Sequence, residues 1–258
     1  MEIRKGYVDC SLGQLHYRFA GKGKTLLMLH ISPSSSHFFE PLMRELASHF
    51  LVLALDTPGY GLSDPPPHPF SIAEYAGIVV EFLDALQMRS ASVLGHHTGA
   101  CIACELAAMA PRRLEKLILS GAPCFDAEER ERWLQRFQPL VLQEDGSHLQ
   151  AIWNAMAHHE WDLAAKHEEA VWRLKAGPRW YEGDRADFTY DMTSRLPIIR
   201  APTLVMAGEL DSMRGPVEWA ARLVKNSRTL ILPGGTTRMP YTRPKEFARA
   251  VLDFLNEG

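Results

Sequence analysis

The sequence predicts an α/β architecture, a mostly parallel, doubly wound sheet with an inserted helical segment. Three observations carry this reading. Short apolar runs alternate with stretches of helical spacing up to about residue 120 and again after residue 200, and strands that alternate with helices build βαβ units around a parallel sheet. The apolar runs are continuous rather than alternating, as expected of strands covered on both faces. Between the two blocks, residues 122–200 are charged and amphipathic and hold five of the six tryptophans, Trp133, Trp153, Trp161, Trp172 and Trp180.

In chain order, Gly13 to Ala20 alternates and reads as an outer strand, and Thr25 to His30 reads as a strand buried on both faces. Phe38 to Phe50 has helical spacing, and Leu51 to Leu55 is a short buried strand ending at Asp56. Ile72 to Leu86 repeats apolar residues at i, i+3 and i+4 behind Ser71, a good N-cap. Ala91 to Leu94 is the next strand. Thr98 to Ala110 is small and apolar on nearly every side, which is the pattern of a helix buried against a sheet, and Pro111 closes it. Leu114 to Ser120 is again a strand. After the insertion, strand signals return at Thr203 to Ala207 and Thr229 to Leu232, with helices at Val217 to Lys225 and Lys245 to Leu255.

Composition narrows the function. With 46% hydrophobic and 23% charged residues the chain is an ordinary globular one. Lys and Arg number 28 against 31 Asp and Glu, so a net charge of -3 offers no general attraction for nucleic acid. The N-terminus lacks an apolar leader segment and no run of about eighteen apolar residues occurs, so neither export by that route nor a membrane partner is expected. The four cysteines, Cys10, Cys101, Cys104 and Cys124, form neither a zinc pattern nor a disulfide framework. Reduced thiols in a cytoplasmic protein, a monomer or homodimer, are the expectation. His96-His97 and His158-His159 form no metal motif, because adjacent side chains do not converge on one ion.

The chemistry-bearing segment is Val93-Leu94-Gly95-His96-His97-Thr98-Gly99-Ala100, where a strand runs directly into a buried helix through two glycines four positions apart. This is the G-x-Nu-x-G spacing of a nucleophile elbow, whose central residue sits in strained backbone and whose flanks must be small. His30-Ile31-Ser32-Pro33 stands where an oxyanion loop would lie, and Asp56-Thr57-Pro58-Gly59-Tyr60-Gly61-Leu62-Ser63-Asp64 matches a D-x-P-G-x-G-x-S stretch. Taken together, and over nearly its whole length, the chain resembles the α/β-hydrolase superfamily. That resemblance implies an eight-strand-type sheet, with residues 1–121 and 201–258 as the core domain and 122–200 as a helical cap over a mostly apolar pocket.

The resemblance also implies a nucleophile at the elbow, an acid after a later strand and a histidine after the last strand. Here the elbow position holds His97, and the post-strand histidine position falls on Thr236 or Thr237; the last histidine in the chain is His167. The acid is retained as Asp211 in Gly208-Glu209-Leu210-Asp211, with Asp126 as a competitor. A neutral imidazole, with an ordinary pKa of about 6.5, is a competent general base when a carboxylate orients it. The expected catalytic set is therefore His97 as base, Asp211 as its orienting carboxylate, and the amides of Ser32 and Thr98 as an oxyanion hole. His30, Ile31, His96, Asp126, Trp133, Trp153, Trp161 and Thr237 are the candidate substrate contacts, and Ser34, Ser35 and Ser36 are either replacement hydroxyls or turn residues.

Such a site suits proton abstraction, elimination, decarboxylation or water activation on a small, uncharged or weakly acidic carbonyl compound, with no cofactor. Ester, lactone or C–C bond hydrolysis through rearranged residues, and a binding-only receptor with a degenerate triad, are the two competing readings.

Overall fold

The computed structural model describes residues 1–156 and 162–257. Eight strands, β1 (Arg4–Cys10), β2 (Gly13–Ala20), β3 (Thr25–Leu29), β4 (Leu51–Leu55), β5 (Ala91–His96), β6 (Leu114–Ser120), β7 (Thr203–Gly208) and β8 (Ser227–Leu232), form one sheet in the order β1-β2-β4-β3-β5-β6-β7-β8. The β1–β2 and β2–β4 pairs are antiparallel and every other pair is parallel. The expected doubly wound sheet is therefore present, with one strand more than the sequence reading identified. β1 was missed because it is a half-solvated edge strand, with only its Val8 and Cys10 side packed on the core, so it lacks the apolar run of a strand covered on both faces.

Side-chain alternation along the buried strands divides the core in two. Leu27, Leu29, Leu53 and Leu55 pack on α2 (Ile72–Ala85) and α3 (Thr98–Met109). Leu26, Met28, Val52 and Ala54 face the opposite layer, which contains α1 (Glu40–Leu46) and the C-terminal helix. Each fully buried leucine contributes about 1.5–3 kcal/mol to burial, so this period-two division fixes the register. α2 begins in a capping box, the Ser71 side chain accepting from the Glu74 amide while the Glu74 carboxylate accepts from the Ser71 amide. The helix expected from Phe38 is a 3-10 turn over Ser36–Phe39 followed by α1, because Pro41 sets a new first turn.

The segment between β6 and β7 is helical: α4 (Ala127–Leu134), α5 (Ser147–Ala155), α6 (Leu163–Lys175), α7 (Glu182–Thr189) and α8 (Met192–Arg195). After β7 come α9 (Val217–Leu223), α10 (Met239–Thr242) and α11 (Pro244–Asn256). Trp161 and the His158-His159 pair lie outside the described residues. Among those described, no helix is long and apolar enough to cross a membrane. The carboxyl ends of β3, β5, β6, β7 and β8 lead into the segments carrying Ser32, His97, Gly121, Asp211 and Thr237, the edge of a parallel sheet where ligand sites form.

Candidate active site

His97 occupies the junction between β5 and α3 with φ 51° and ψ −111°. A non-glycine residue at positive φ stores roughly 1–3 kcal/mol of strain that surrounding structure must hold. The two flanking glycines permit it: a Cβ on Gly95 would strike the Gly99 carbonyl, and one on Gly99 would strike the Leu29 carbonyl. The elbow geometry thus follows from the Gly95–Gly99 spacing whatever side chain sits between them.

The His97 ring is largely buried and turns its Nε2 onto Asp211, 3.0 Å from Oδ1 and 3.2 Å from Oδ2. Gly121, at positive φ, passes against the Cδ2–Nε2 edge, where a Cβ would collide with the ring. When the imidazole is neutral, Nε2 donates to the carboxylate and Nδ1 is left as the acceptor. Nδ1 has no protein hydrogen bond among the described residues, and His97 lines a cavity of about 480 Å³. Asp211 Oδ1 also accepts from the Met213 amide at 2.9 Å and from Thr237 Oγ1 at 3.1 Å. Burial opposes ionisation of Asp211, but the His97 ring, the neighbouring His96 and the Met213 amide outweigh it and hold the carboxyl well below its usual range.

Thr237, the position where a family histidine is expected, therefore meets Asp211 with a hydroxyl, and the imidazole comes from the elbow instead. Its backbone carbonyl accepts from His96 Nε2 at 2.8 Å, and His96 Nδ1 accepts from Ser120 Oγ at 3.0 Å. Burial, then the neighbouring His97, pushes His96 down to about 3, so it stays neutral. It stacks on Phe38 and ties the loop after β8 to the elbow; it is not on the cavity wall.

The other expected site residues divide in the same way. Ile31, Ser32, Trp133 and Thr237 line the cavity, Trp133 stacked on Phe188 with centroids 5.2 Å apart. The Ser32 amide, expected to face a developing negative charge, donates instead to Thr98 Oγ1 at 3.1 Å. His30 is fully buried behind the loop, Nδ1 donating to the Ile31 carbonyl and Nε2 accepting from the Thr57 amide. Asp126 is an exposed N-cap accepting from the Glu129 amide, so it does not partner His97. Trp153 packs under the Lys166 ammonium at 4.2 Å, and Trp172 stacks on His37, both off the cavity wall. Ser34, Ser35 and Ser36 bond to Glu169, His37 and Arg18 respectively, as loop-fixing residues do.

Polar residues that sequence reasoning missed make the cavity less apolar than expected. Arg173 from α6, Asp184 and Asp187 from α7, and Arg238 after β8 all line it. Buried Glu169 joins the layers: Oε2 accepts from Ser34 Oγ at 3.0 Å and Oε1 from Arg173 Nε at 3.0 Å, with His37 Nε2 at 3.3 Å and Arg238 Nη1 at 3.6 Å. Burial raises the Asp184 carboxyl to about 8 against the pull of Arg173 and Arg238, and burial reinforced by Asp184 pushes Asp187 well above the carboxylate range. The only sequence signal for this pair is its spacing of three on one helix face, which an exposed acidic pair shares.

Comparison with known proteins adds to this geometry. Residues 24–235 match the family model described as alpha/beta hydrolase fold. The chain is 29% identical over 252 residues to a mouse (Mus musculus) protein named serine hydrolase BPHL, covering 93% of this chain and 82% of that one. It is 29% identical over 281 residues to the 2-hydroxy-6-oxononadienedioate/2-hydroxy-6-oxononatrienedioate hydrolase 2 of Pseudomonas putida, covering 98% and 94%. The crystal structure of a hydrolase from Pseudomonas aeruginosa PA01 superposes with a TM-score of 0.81 at 26% identity, covering 98% of this chain and 99% of that one.

Proposed function

The chain belongs to the α/β-hydrolase family, and from that premise we propose that it hydrolyses a small, weakly acidic carbonyl compound using His97 as a general base. The observation that carries the reading is the Nε2 contact of His97 with Asp211 at the elbow. Asp211 fixes the tautomer, so the unprotonated Nδ1 takes a proton from a water molecule as that water's oxygen bonds to the carbonyl carbon. The ionised carboxylate stabilises the imidazolium that forms. Negative charge on the former carbonyl oxygen meets the Thr98 amide, one of the orphan donors at the start of α3. Collapse of the tetrahedral species breaks the bond to the leaving group, which receives the proton from His97. No covalent acyl-enzyme forms.

The inserted helices act as a cap in this reading, supplying the Trp133–Phe188 wall for an apolar arm and, with the loop after β8, the guanidiniums of Arg173 and Arg238 for an acidic one. The P. putida relative, named for a hydroxy-oxo-dioate, supports an acidic carbonyl substrate. The four unpaired thiols suit the reducing cytoplasm.

The test is a panel of esters, thioesters and β-diketones, each offered as free acid and as methyl ester. Turnover without a product burst, no labelling by a fluorophosphonate, and loss of turnover in both His97→Ala and His97→Ser are expected. A burst with labelling of a serine or threonine would overturn the reading in favour of covalent catalysis. Deuterium exchange into a β-diketone without cleavage would instead mark proton abstraction by the same base. Saturable binding with no product across the panel would mark a receptor.

A further inference from the structure

The reaction above needs more than one donor on the oxyanion, yet the Ser32 amide is turned onto the Thr98 hydroxyl. That hydroxyl in turn donates to Asp187 Oδ2 at 2.7 Å. The chain Ser32 N–H to Thr98 O–H to Asp187 ends at a carboxyl that is only 3% exposed, lines the same cavity as His97, and has its second oxygen, Oδ1, without a hydrogen-bond partner among the described residues. Asp184, one helical turn earlier on α7, also lines the cavity and leaves its Oδ2 without one.

An ionised carboxylate in that position would accept from Thr98 with one oxygen and leave the other desolvated and unpaired, an arrangement that burial strongly disfavours. A carboxylic acid resolves it. With Oδ2 accepting from Thr98, the proton sits on Oδ1, and Asp187 becomes a hydrogen-bond donor. We propose that Asp187 is a neutral carboxylic acid whose Oδ1–H donates to the substrate oxygen on which negative charge develops, taking the place of the Ser32 amide, with Asp184 as the positioning residue that keeps it protonated. The proton stays on Asp187 throughout; only a hydrogen bond strengthens as the oxygen gains charge. A carboxyl kept neutral by its apolar site serves as an oxyanion donor in the same physical way wherever burial outweighs ionisation.

The neighbours favour this state. The upward shifts of both carboxyls have burial as their largest cause. Facing the pair are His97 across the cavity and, on α3, Thr98 and Cys101, whose side-chain hydrogen bonds to Asp187 oppose its upward shift without cancelling it. Arg173 on α6 and Arg238 after β8 act on Asp184, while Tyr75 on α2 and Tyr60 face the pair from the core side. The cations pull Asp184 towards ionisation, so it ionises first, and its charge then suppresses ionisation of Asp187.

The inference deepens the proposed reaction and depends on it for the charge being stabilised, but its test does not use turnover. Infrared difference spectra of wild type against Asp187→Asn near neutral pH should show a carboxylic-acid carbonyl band that the variant lacks. 4-Nitrophenol, bound as its phenolate, is the oxyanion probe. Asp187→Asn keeps a donor and should bind the phenolate within about threefold of wild type, whereas Asp187→Leu should bind it at least tenfold more weakly. Phenolate affinity should fall at high pH in wild type as the acid ionises, and that fall should vanish in Asp187→Asn and move to lower pH in Asp184→Asn. Absence of the acid band in wild type, equal phenolate affinity in wild type and Asp187→Leu, or an unchanged alkaline fall in Asp187→Asn would overturn the inference. In His97→Asn the band and the phenolate discrimination should persist, so failure of the base assignment leaves a different signature.

Discussion

Across one cavity, carboxyl groups of the same kind are held in opposite states. On the sheet side, Asp211 is flanked by an imidazole, an amide and a hydroxyl, and these donors keep it ionised although it is buried. On the inserted side, Asp184 and Asp187 are buried comparably, but among the described residues only the Thr98 hydroxyl and the Cys101 thiol donate to the pair, both to Asp187, and burial outweighs them and raises both carboxyls. Burial is common to the two walls, so the supply of donors decides the state. Roles of base partner and acid are thereby assigned by environment rather than by residue type.

The largest expected effect breaks the sheet-side wall. Asp211→Asn leaves the His97 ring without a carboxylate to orient it or stabilise its cation, and kcat should fall about 10³-fold or more with KM little changed. Steady-state kinetics on whichever panel substrate is turned over checks this. If kcat holds, the imidazole acts without its carboxylate and the contrast between the walls has no catalytic content.

A second intervention moves the imidazole rather than removing its partner. Thr237 already touches Asp211, so His97→Ser with Thr237→His should regenerate a serine, histidine and aspartate set in the family's chain order. Fluorophosphonate labelling should be absent in wild type and in the His97→Ser single variant and should appear in the double variant. A labelled single variant would show that another base serves the elbow.

The walls should also differ in how stability follows pH. The raised pKa of Asp184 means that its contribution is fully present below the unfolded value of about 3.9 and is lost as pH rises through about 8. Asp184→Asn removes that loss, so the variant should gain steadily on wild type as pH rises from about 4 to 8. Asp211 has the opposite sign. Its lowered pKa stabilises the fold above about pH 3.9 and the benefit fades as pH falls below that value, so Asp211→Asn should be destabilised near neutrality and converge on wild type in acid. Melting curves from about pH 2 to 8 check both slopes.

How much of this was legible in the sequence follows the same division. The sheet side was readable because its constraints are local: the Gly95–Gly99 spacing forces the turn, the apolar runs declare strands covered on both faces, and Gly208-x-x-Asp211 sits a fixed step beyond a strand. β1 escaped because an edge strand carries a weaker apolar signal. The inserted side was illegible for a different reason. Asp184 and Asp187 stand in Glu-Gly-Asp-Arg-Ala-Asp, which reads as a solvated helix face, and only packing against Ser32, Tyr60 and Thr98 reveals that Gly183 and its neighbours face inward. The Ser32 amide was misjudged likewise, since a side chain distant in sequence, Thr98, captures it.

The smallest test concerns what Thr237 contributes now that no imidazole occupies its position. Its hydroxyl is one of three donors to Asp211, and its carbonyl anchors His96. Thr237→Val keeps the shape and the carbonyl but removes the hydroxyl, so the bond to Asp211 and a long contact with Ser212 Oγ at 3.5 Å are lost. A hydrogen bond to a charged group is worth about 1.5–3 kcal/mol, and the two remaining donors should absorb part of that. The expected cost is about 1 kcal/mol in stability near neutral pH, shrinking in acid, and a several-fold drop in kcat. A loss as large as that of Asp211→Asn would mean that Thr237, rather than the His97 ring, is what keeps the carboxylate charged, and the contrast between the two walls would then rest on a hydroxyl.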